Sequence, residues 1–63
     1  MNKLEYYDNL PDVLTVSELA KYLQIGRNQA YALIQSGAIR SIRIGRAIRI
    51  PKSAVIDYLE NTG

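Results

Sequence analysis

Apolar side chains recur along this chain with two different periods, and the change of period marks out its elements. Val16, Leu19, Ala20 and Leu23 form one stripe of a 3.6-residue helix. Thr15 stands just ahead of that stripe with Glu18 three residues on, the pairing of a capping box. Leu14 and Leu19 then occupy the two positions of a hydrophobic staple. A first short helix is expected to start after Thr15 and end near Tyr22 or Leu23. Gln24-Ile25-Gly26 predicts a tight turn with Ile25 buried beneath it. From about Arg27 to Gln35 the helical period resumes, with Ala30, Leu33 and Ile34 facing inward and Tyr31 at the margin. Asn28, Gln29, Ala32, Gln35 and Ser36 face outward. Gly26 is a tolerable but weak N-cap for this helix, and Gly37 suits the left-handed residue just past its end.

Between Arg40 and Pro51 the period drops to two, as isoleucine and arginine alternate on both sides of Gly45-Arg46-Ala47. That pattern predicts a β-hairpin. A two-residue loop at Gly45-Arg46 would set Ile42 opposite Arg49. A three-residue loop, Gly45 to Ala47, would pair Ile44 with Ile48, Ile42 with Ile50 and Arg43 with Arg49. The second register is the one expected, since it alone keeps the four isoleucines on one face. It also sets two arginines directly across from each other, which is unfavourable unless negative charge lies over them. The arginine face is then either an ordinary solvated surface or a ribbon built to lie on phosphate, and the hairpin by itself leaves both readings open.

Pro51 and Lys52 are expected to open a third helix, because proline's missing N–H is not needed at the first helical position. Val55, Ile56, Tyr58 and Leu59 give it an inward face, and Asn61-Thr62-Gly63 is expected to fray. Residues 1–13 read as an N-terminal extension, a partly ordered arm. Leu4, Tyr6, Tyr7 and Leu10 fit neither period there, Pro11 breaks any helix, and the tyrosines are expected to touch the core. Two short helices joined by a tight turn make a helix-turn-helix unit. With the hairpin as a two-stranded wing and the last helix behind it, residues 14–63 are expected to form a small winged helix-turn-helix domain, α+β and mainly helical.

Composition narrows what such a domain can do. Sixty-three residues make one domain that buries only about 60% of its unfolded surface, so no deep substrate cleft is expected. Histidine and cysteine are both absent. With them go the commonest general base, the thiol nucleophile and most metal ligands, so neither an enzyme nor a cofactor or metal protein is expected. The lack of cysteine fits a reducing compartment. No apolar run approaches a membrane span and no signal-peptide pattern opens the chain, so a soluble, intracellular protein is expected.

Charge changes the picture more. Net charge is only +2, yet no Asp or Glu lies between Leu19 and Val55, where Lys21, Arg27, Arg40, Arg43, Arg46, Arg49 and Lys52 are gathered. All six acids, Glu5, Asp8, Asp12, Glu18, Asp57 and Glu60, fall in the flanks. Segregation of this kind is the footprint of a polyanionic partner. Asn28 and Gln29 on the outer face of the second helix are side chains that can bond adenine edges, and Arg27 in its first turn favours guanine. Amides on a helix surface are also commonly just solvated, so each alone decides little.

Taken together, Leu14-Thr15-Val16-Ser17-Glu18-Leu19-Ala20, Leu23-Gln24-Ile25-Gly26-Arg27, Tyr31-Ala32-Leu33-Ile34, Gly37, Ile42-Arg43-Ile44-Gly45-Arg46 and Arg49-Ile50-Pro51 resemble the excisionase family of MerR-like DNA-binding domains. The resemblance runs from about Leu14 to Leu59. It implies a small architectural protein of a phage or integrative element, a recombination directionality factor. Such a protein binds and bends double-stranded attachment-site DNA and helps a tyrosine or serine integrase run excision. A transcriptional regulator of the same fold, and a module that docks on an integrase, are the alternatives.

By position, the resemblance places Arg27, Asn28, Gln29 and Ala32 against bases and Tyr31 near a phosphate. Arg46 falls at the wing tip, with Arg43 and Arg49 along the backbone. Apart from the resemblance, Arg40 is expected among the wing contacts, and Lys21 and Lys52 are candidates for further backbone contacts. The family often carries Ser or Thr where Gly26 stands and basic residues at Ala32, Gln35 and Ser36, so affinity here shifts toward the wing. The long dimerisation helix of full-length MerR regulators does not follow the domain. A monomer in solution is therefore expected, with cooperative self-association on neighbouring DNA sites, in the bacterial cytoplasm at the nucleoid.

Overall fold

In the computed structural model, which describes Tyr7 and residues 9–62, the elements run β1 (Val13–Leu14), α1 (Val16–Leu23), α2 (Arg27–Gln35), β2 (Ile42–Ile44), β3 (Ala47–Pro51) and α3 (Lys52–Thr62). Both helices of the helix-turn-helix unit have the predicted ends. The Thr15 Oγ1 accepts the Glu18 N–H at 3.1 Å, and Glu18 Oε1 accepts the Thr15 N–H at 2.8 Å. Leu14 and Leu19, the staple pair, are fully buried. Helix α1 stops because Gln24 enters the left-handed region at φ 59°, after which the Ile25 N–H closes onto the Ala20 carbonyl at 3.0 Å. Ile25 packs against the core but is only partly buried. Gly37, at φ 83°, ends α2 as the left-handed residue expected there.

The three strands lie in the order β1-β3-β2, both pairings antiparallel. Strand β1 was not foreseen: Val13 pairs with Pro51 and Leu14 with Ile50, and the Lys52 N–H donates to the Asp12 carbonyl at 2.8 Å. The wing hairpin thus shares its long strand with the segment that leads into α1, and the helix-turn-helix unit is tied to the wing at its root. Pro51 closes β3 instead of opening α3, and it lies past the end of β2, whose pairing stops at Ile42 with Arg49. A residue without an N–H is tolerated at such a position. At its other end α3 runs on through Asn61 and Thr62, with Asn61 Nδ2 donating to the Asp57 carbonyl at 2.9 Å, so the expected fraying from Asn61 is not seen.

The expected hairpin register is also corrected. Ile42 pairs with Arg49, Arg43 with Ile48 and Ile44 with Ala47, so the loop is the two-residue Gly45-Arg46. Gly45 is at φ 60° and Arg46 is not left-handed. That is the pattern of a type II′ turn, whose twist matches the strands it joins. Turn geometry outweighs the gathering of four isoleucines because the core has room for few of them. Ile50 is fully buried and Ile48 partly so, while Ile42 and Ile44 stand 48% and 63% exposed on the opposite face of the sheet. Arg43 and Arg49 consequently leave the sheet on opposite faces and do not oppose each other.

The core is one cluster in which Leu14, Leu19, Ala30, Ile39, Ile50 and Val55 are essentially inaccessible, with Tyr7 and Leu10 closing one side. The expected tyrosine contact with the core is made by Tyr7, while Leu4 and Tyr6 lie outside the described residues. No buried polar side chain among the described residues lacks a partner. None of their helices is long and apolar enough to cross a membrane.

Candidate nucleic-acid interface

An open groove of about 270 Å3 runs between the start of α1, the first turns of α2 and the wing. Thr15, Val16 and Ser17 form one wall, Arg27 and Tyr31 the second, and Arg46 to Arg49 the third. No carboxylate lines it. Each wall has a local cause. The capping box holds Thr15 and Ser17 at the amino end of α1. It pairs the Thr15 and Glu18 N–H groups and brings the Glu18 carboxylate to that end, while the helix dipole and the remaining first-turn N–H groups favour an anion. Gly26 delivers Arg27 as the first residue of α2, and the Arg27 Nη2 donates to the Ser17 Oγ at 3.0 Å, which turns its guanidinium into the groove. The tight Gly45-Arg46 turn lifts Arg46 to the hairpin tip. Arg49 is partly buried, and its Nη1 donates back to the Ile48 carbonyl at 2.9 Å. Arg43, paired with Ile48 across the hairpin, is exposed on the sheet face opposite Arg49 and is not among the residues that line this groove.

The outward face of α2 lies open beside the groove. Arg27, Asn28, Gln29, Tyr31, Ala32 and Gln35 are all exposed, and none of that surface is taken up by the protein's own interior. The Gln29 Oε1 reaches back to accept the Gly26 N–H at 3.0 Å, a contact not foreseen from sequence. Three of the basic residues lie elsewhere. Arg40 sits in a second groove with Asp57, 3.7 Å from its carboxylate, and reaches the Ser53 hydroxyl at 3.3 Å. Lys21 borders a third, more apolar groove with Leu10, Pro11 and Tyr22. Lys52 starts α3, its backbone held by Asp12. Among the described residues no cluster of acids suited to a metal ion occurs.

The structure also shows a surface that the period-two pattern concealed. Val13, Ile42 and Ile44 are exposed, and the strand pairing places them on one face of the sheet together with Ala47, Arg49 and Pro51. This face is turned away from the core.

A helix-turn-helix unit, a β wing and a closing helix around one small core, with an arginine-lined groove where they meet, define a winged helix-turn-helix domain. A helix-turn-helix domain model matches residues 13–63. The chain is 56% identical over 46 residues to a protein of Saccharopolyspora erythraea named as a probable excisionase, a match covering 73% of this chain and 47% of that protein. It is 39% identical over 51 residues to an excisionase of Streptomyces ambofaciens, covering 81% of this chain and 82% of the relative. A Mycobacterium tuberculosis protein whose name carries the words DNA-binding protein is 34% identical over 50 residues, covering 79% of this chain and 64% of that one. The chain therefore spans about half the length of the first of these relatives and most of the second. No solved structure matches it significantly. The chain belongs to the excisionase family of helix-turn-helix proteins.

Proposed function

We propose that the protein binds double-stranded DNA sequence-specifically and acts, without catalysing a reaction itself, as an architectural excision factor. It binds and bends attachment-site DNA so that an integrase excises a mobile element. The observation that carries this reading is the acid-free groove in which Arg27, Arg46 and Arg49 meet the amino end of α1 beside the exposed face of α2. Phosphate suits the groove: guanidinium groups and helix N-termini both bind it without reading sequence. With a phosphate seated there, α2 lies alongside the same strand and presents Asn28, Gln29 and Ala32 to the major groove, the surface where base pairs are distinguishable. Tyr31 and Arg46 flank the backbone, and Arg43 extends the basic surface along the wing. Lys21, Arg40 and Lys52 are placed for contacts outside this groove. The protein works in the bacterial cytoplasm at the nucleoid, as a monomer that loads cooperatively on adjacent sites.

A protein contact beside the DNA contact is favoured by the exposed apolar face of the sheet, and the integrase is the partner proposed for it. Two experiments divide the readings. Gel shifts compare attachment-site arms with promoter fragments, and an excision assay adds the cognate integrase. Tight, salt-sensitive binding to the arms with stimulated excision is expected. Tight binding to promoters without effect on excision would make the protein a transcriptional regulator. Binding that is flat in salt and requires the integrase would make it an interaction module.

A further inference from the structure

Both helices of the helix-turn-helix unit solve the same problem at their amino ends. The backbone N–H of the residue before the helix needs an acceptor, and the third helical residue reaches back to supply one. In α1 the acceptor is the Glu18 carboxylate on the Thr15 N–H at 2.8 Å. In α2 it is the Gln29 carbonyl oxygen on the Gly26 N–H at 3.0 Å. Gly26 has no side chain to cap the turn in return, so this single bond is the side-chain cap of α2. A carboxylate would make the same bond, but on the exposed surface that faces DNA it would set a negative charge against phosphate. Glutamine supplies the oxygen without the charge.

The cap also settles which way the amide faces. Turning it over would aim the NH2 group at the Gly26 N–H, donor against donor, so the network assigns oxygen inward and nitrogen outward. We infer that Gln29 is a specificity-determining residue that presents its NH2 group as a donor, so that it selects a base with a major-groove acceptor, guanine O6 and N7, thymine O4 or adenine N7, against cytosine, which has none. The adenine pairing usual for glutamine uses oxygen and nitrogen together at the base edge. Here one lone pair of the oxygen is held by the Gly26 N–H, and the NH2 group is the part left wholly to the base. Rejection falls hardest on cytosine, whose N4 amino group meets the glutamine donor head-on. This inference rests on the reading of α2 as the helix in the major groove.

The test exchanges the outward group while keeping the cap. Gln29→Glu retains an oxygen for the Gly26 N–H but turns an acceptor toward the base, whereas Gln29→Ala removes both. Each full-length protein is used to select binding sites from a random duplex library, and single-position variants of the wild-type consensus are then titrated by fluorescence anisotropy. One position of the consensus should exclude cytosine for the wild type. With Gln29→Glu that position should change to cytosine, with the preference reversed by about 5-fold or more, the worth of one hydrogen bond. The added charge lowers affinity for all duplexes alike and cancels in the ratio. Gln29→Ala should bind all four base pairs there within a few-fold and melt at a lower temperature than Gln29→Glu. A wild-type consensus that Gln29→Glu leaves unchanged, or a cytosine at the position Gln29→Ala relaxes, overturns the inference and leaves DNA reading by α2 standing. If the wild type selects no consensus, the proposed sequence-specific binding fails, and the inference with it.

Discussion

Replacing Ile50 and Ile44 one at a time by alanine tests the wing register through stability alone. Ile50 lies at the centre of the sheet, paired with Leu14 and fully buried. Truncation removes three carbons worth about 0.8 kcal/mol each in transfer, and the cavity left behind raises the cost to about 2–5 kcal/mol. A domain of this size has a total stability of about 3–9 kcal/mol at 0.05–0.15 kcal/mol per residue. Ile50→Ala should therefore lower the urea midpoint by about 2 M or more, with an m-value near 1 kcal/mol/M, and leave a measurable unfolded fraction in buffer. Ile44 is 63% exposed at the hairpin's far end, so Ile44→Ala should stay within about 0.5 kcal/mol of the parent. The three-residue loop would instead turn Ile44 toward the core opposite Ile48. Equilibrium urea titration followed by far-UV circular dichroism measures both. A loss of about 2 kcal/mol or more for Ile44→Ala would refute the two-residue turn, and with it the positions of Arg43 and Arg49.

Thr15→Ala removes the acceptor of the Glu18 N–H and should cost about 1 kcal/mol of stability, largely restored by Thr15→Ser, in the same titration. Gln24→Gly relieves a side chain held at φ 59° and should stabilise by about 1 kcal/mol, read as a raised thermal midpoint; no gain would mean that the Gln24 side chain compensates for its strain. Asn28→Ala, if Asn28 makes a bidentate contact, should flatten preference at one base pair by about 1–3 kcal/mol in a panel of single-base operator variants while leaving stability within about 0.5 kcal/mol. Arg40→Ala, which breaks an exposed pair with Asp57 away from the groove, should change DNA affinity far less than substitution of Arg27 or Arg46 when the three are titrated side by side.

The helix-turn-helix half was legible because its signals are local. A capping box, a staple and two glycines each act within a few residues, and both helices lie where those signals put them. What depended on distant partners was not legible. Strand β1 is two residues long and exists only because β3 lies beside it. Ile39 sits in the connection between α2 and the wing, with no period to mark it, yet it is fully buried. Alternation alone points to a shared core face and so to the wrong hairpin register, because the turn decides the pairing and the small core accepts only part of the apolar set. At the interface, clustering of arginines in sequence overstated their clustering in space. Arg27 joins Arg46 and Arg49 from a different element, held by Ser17, while Arg40 is drawn off by Ser53 and Asp57. Ser17 carried no signal beyond its place in the first turn of a capped helix.

The central claim is that the arginine-lined groove lies on a DNA backbone, and the salt dependence of binding tests it most directly. The dissociation constant of one attachment-site duplex is measured from 50 to 200 mM salt for the wild type and for Arg46→Ala. Three groove arginines at about 0.9 each predict a log–log slope of at least about −2.7, or roughly a 40-fold loss of affinity over that range. The variant should be shallower by about 0.9. A wild-type affinity indifferent to salt, or a variant slope equal to the parent's, would contradict the claim.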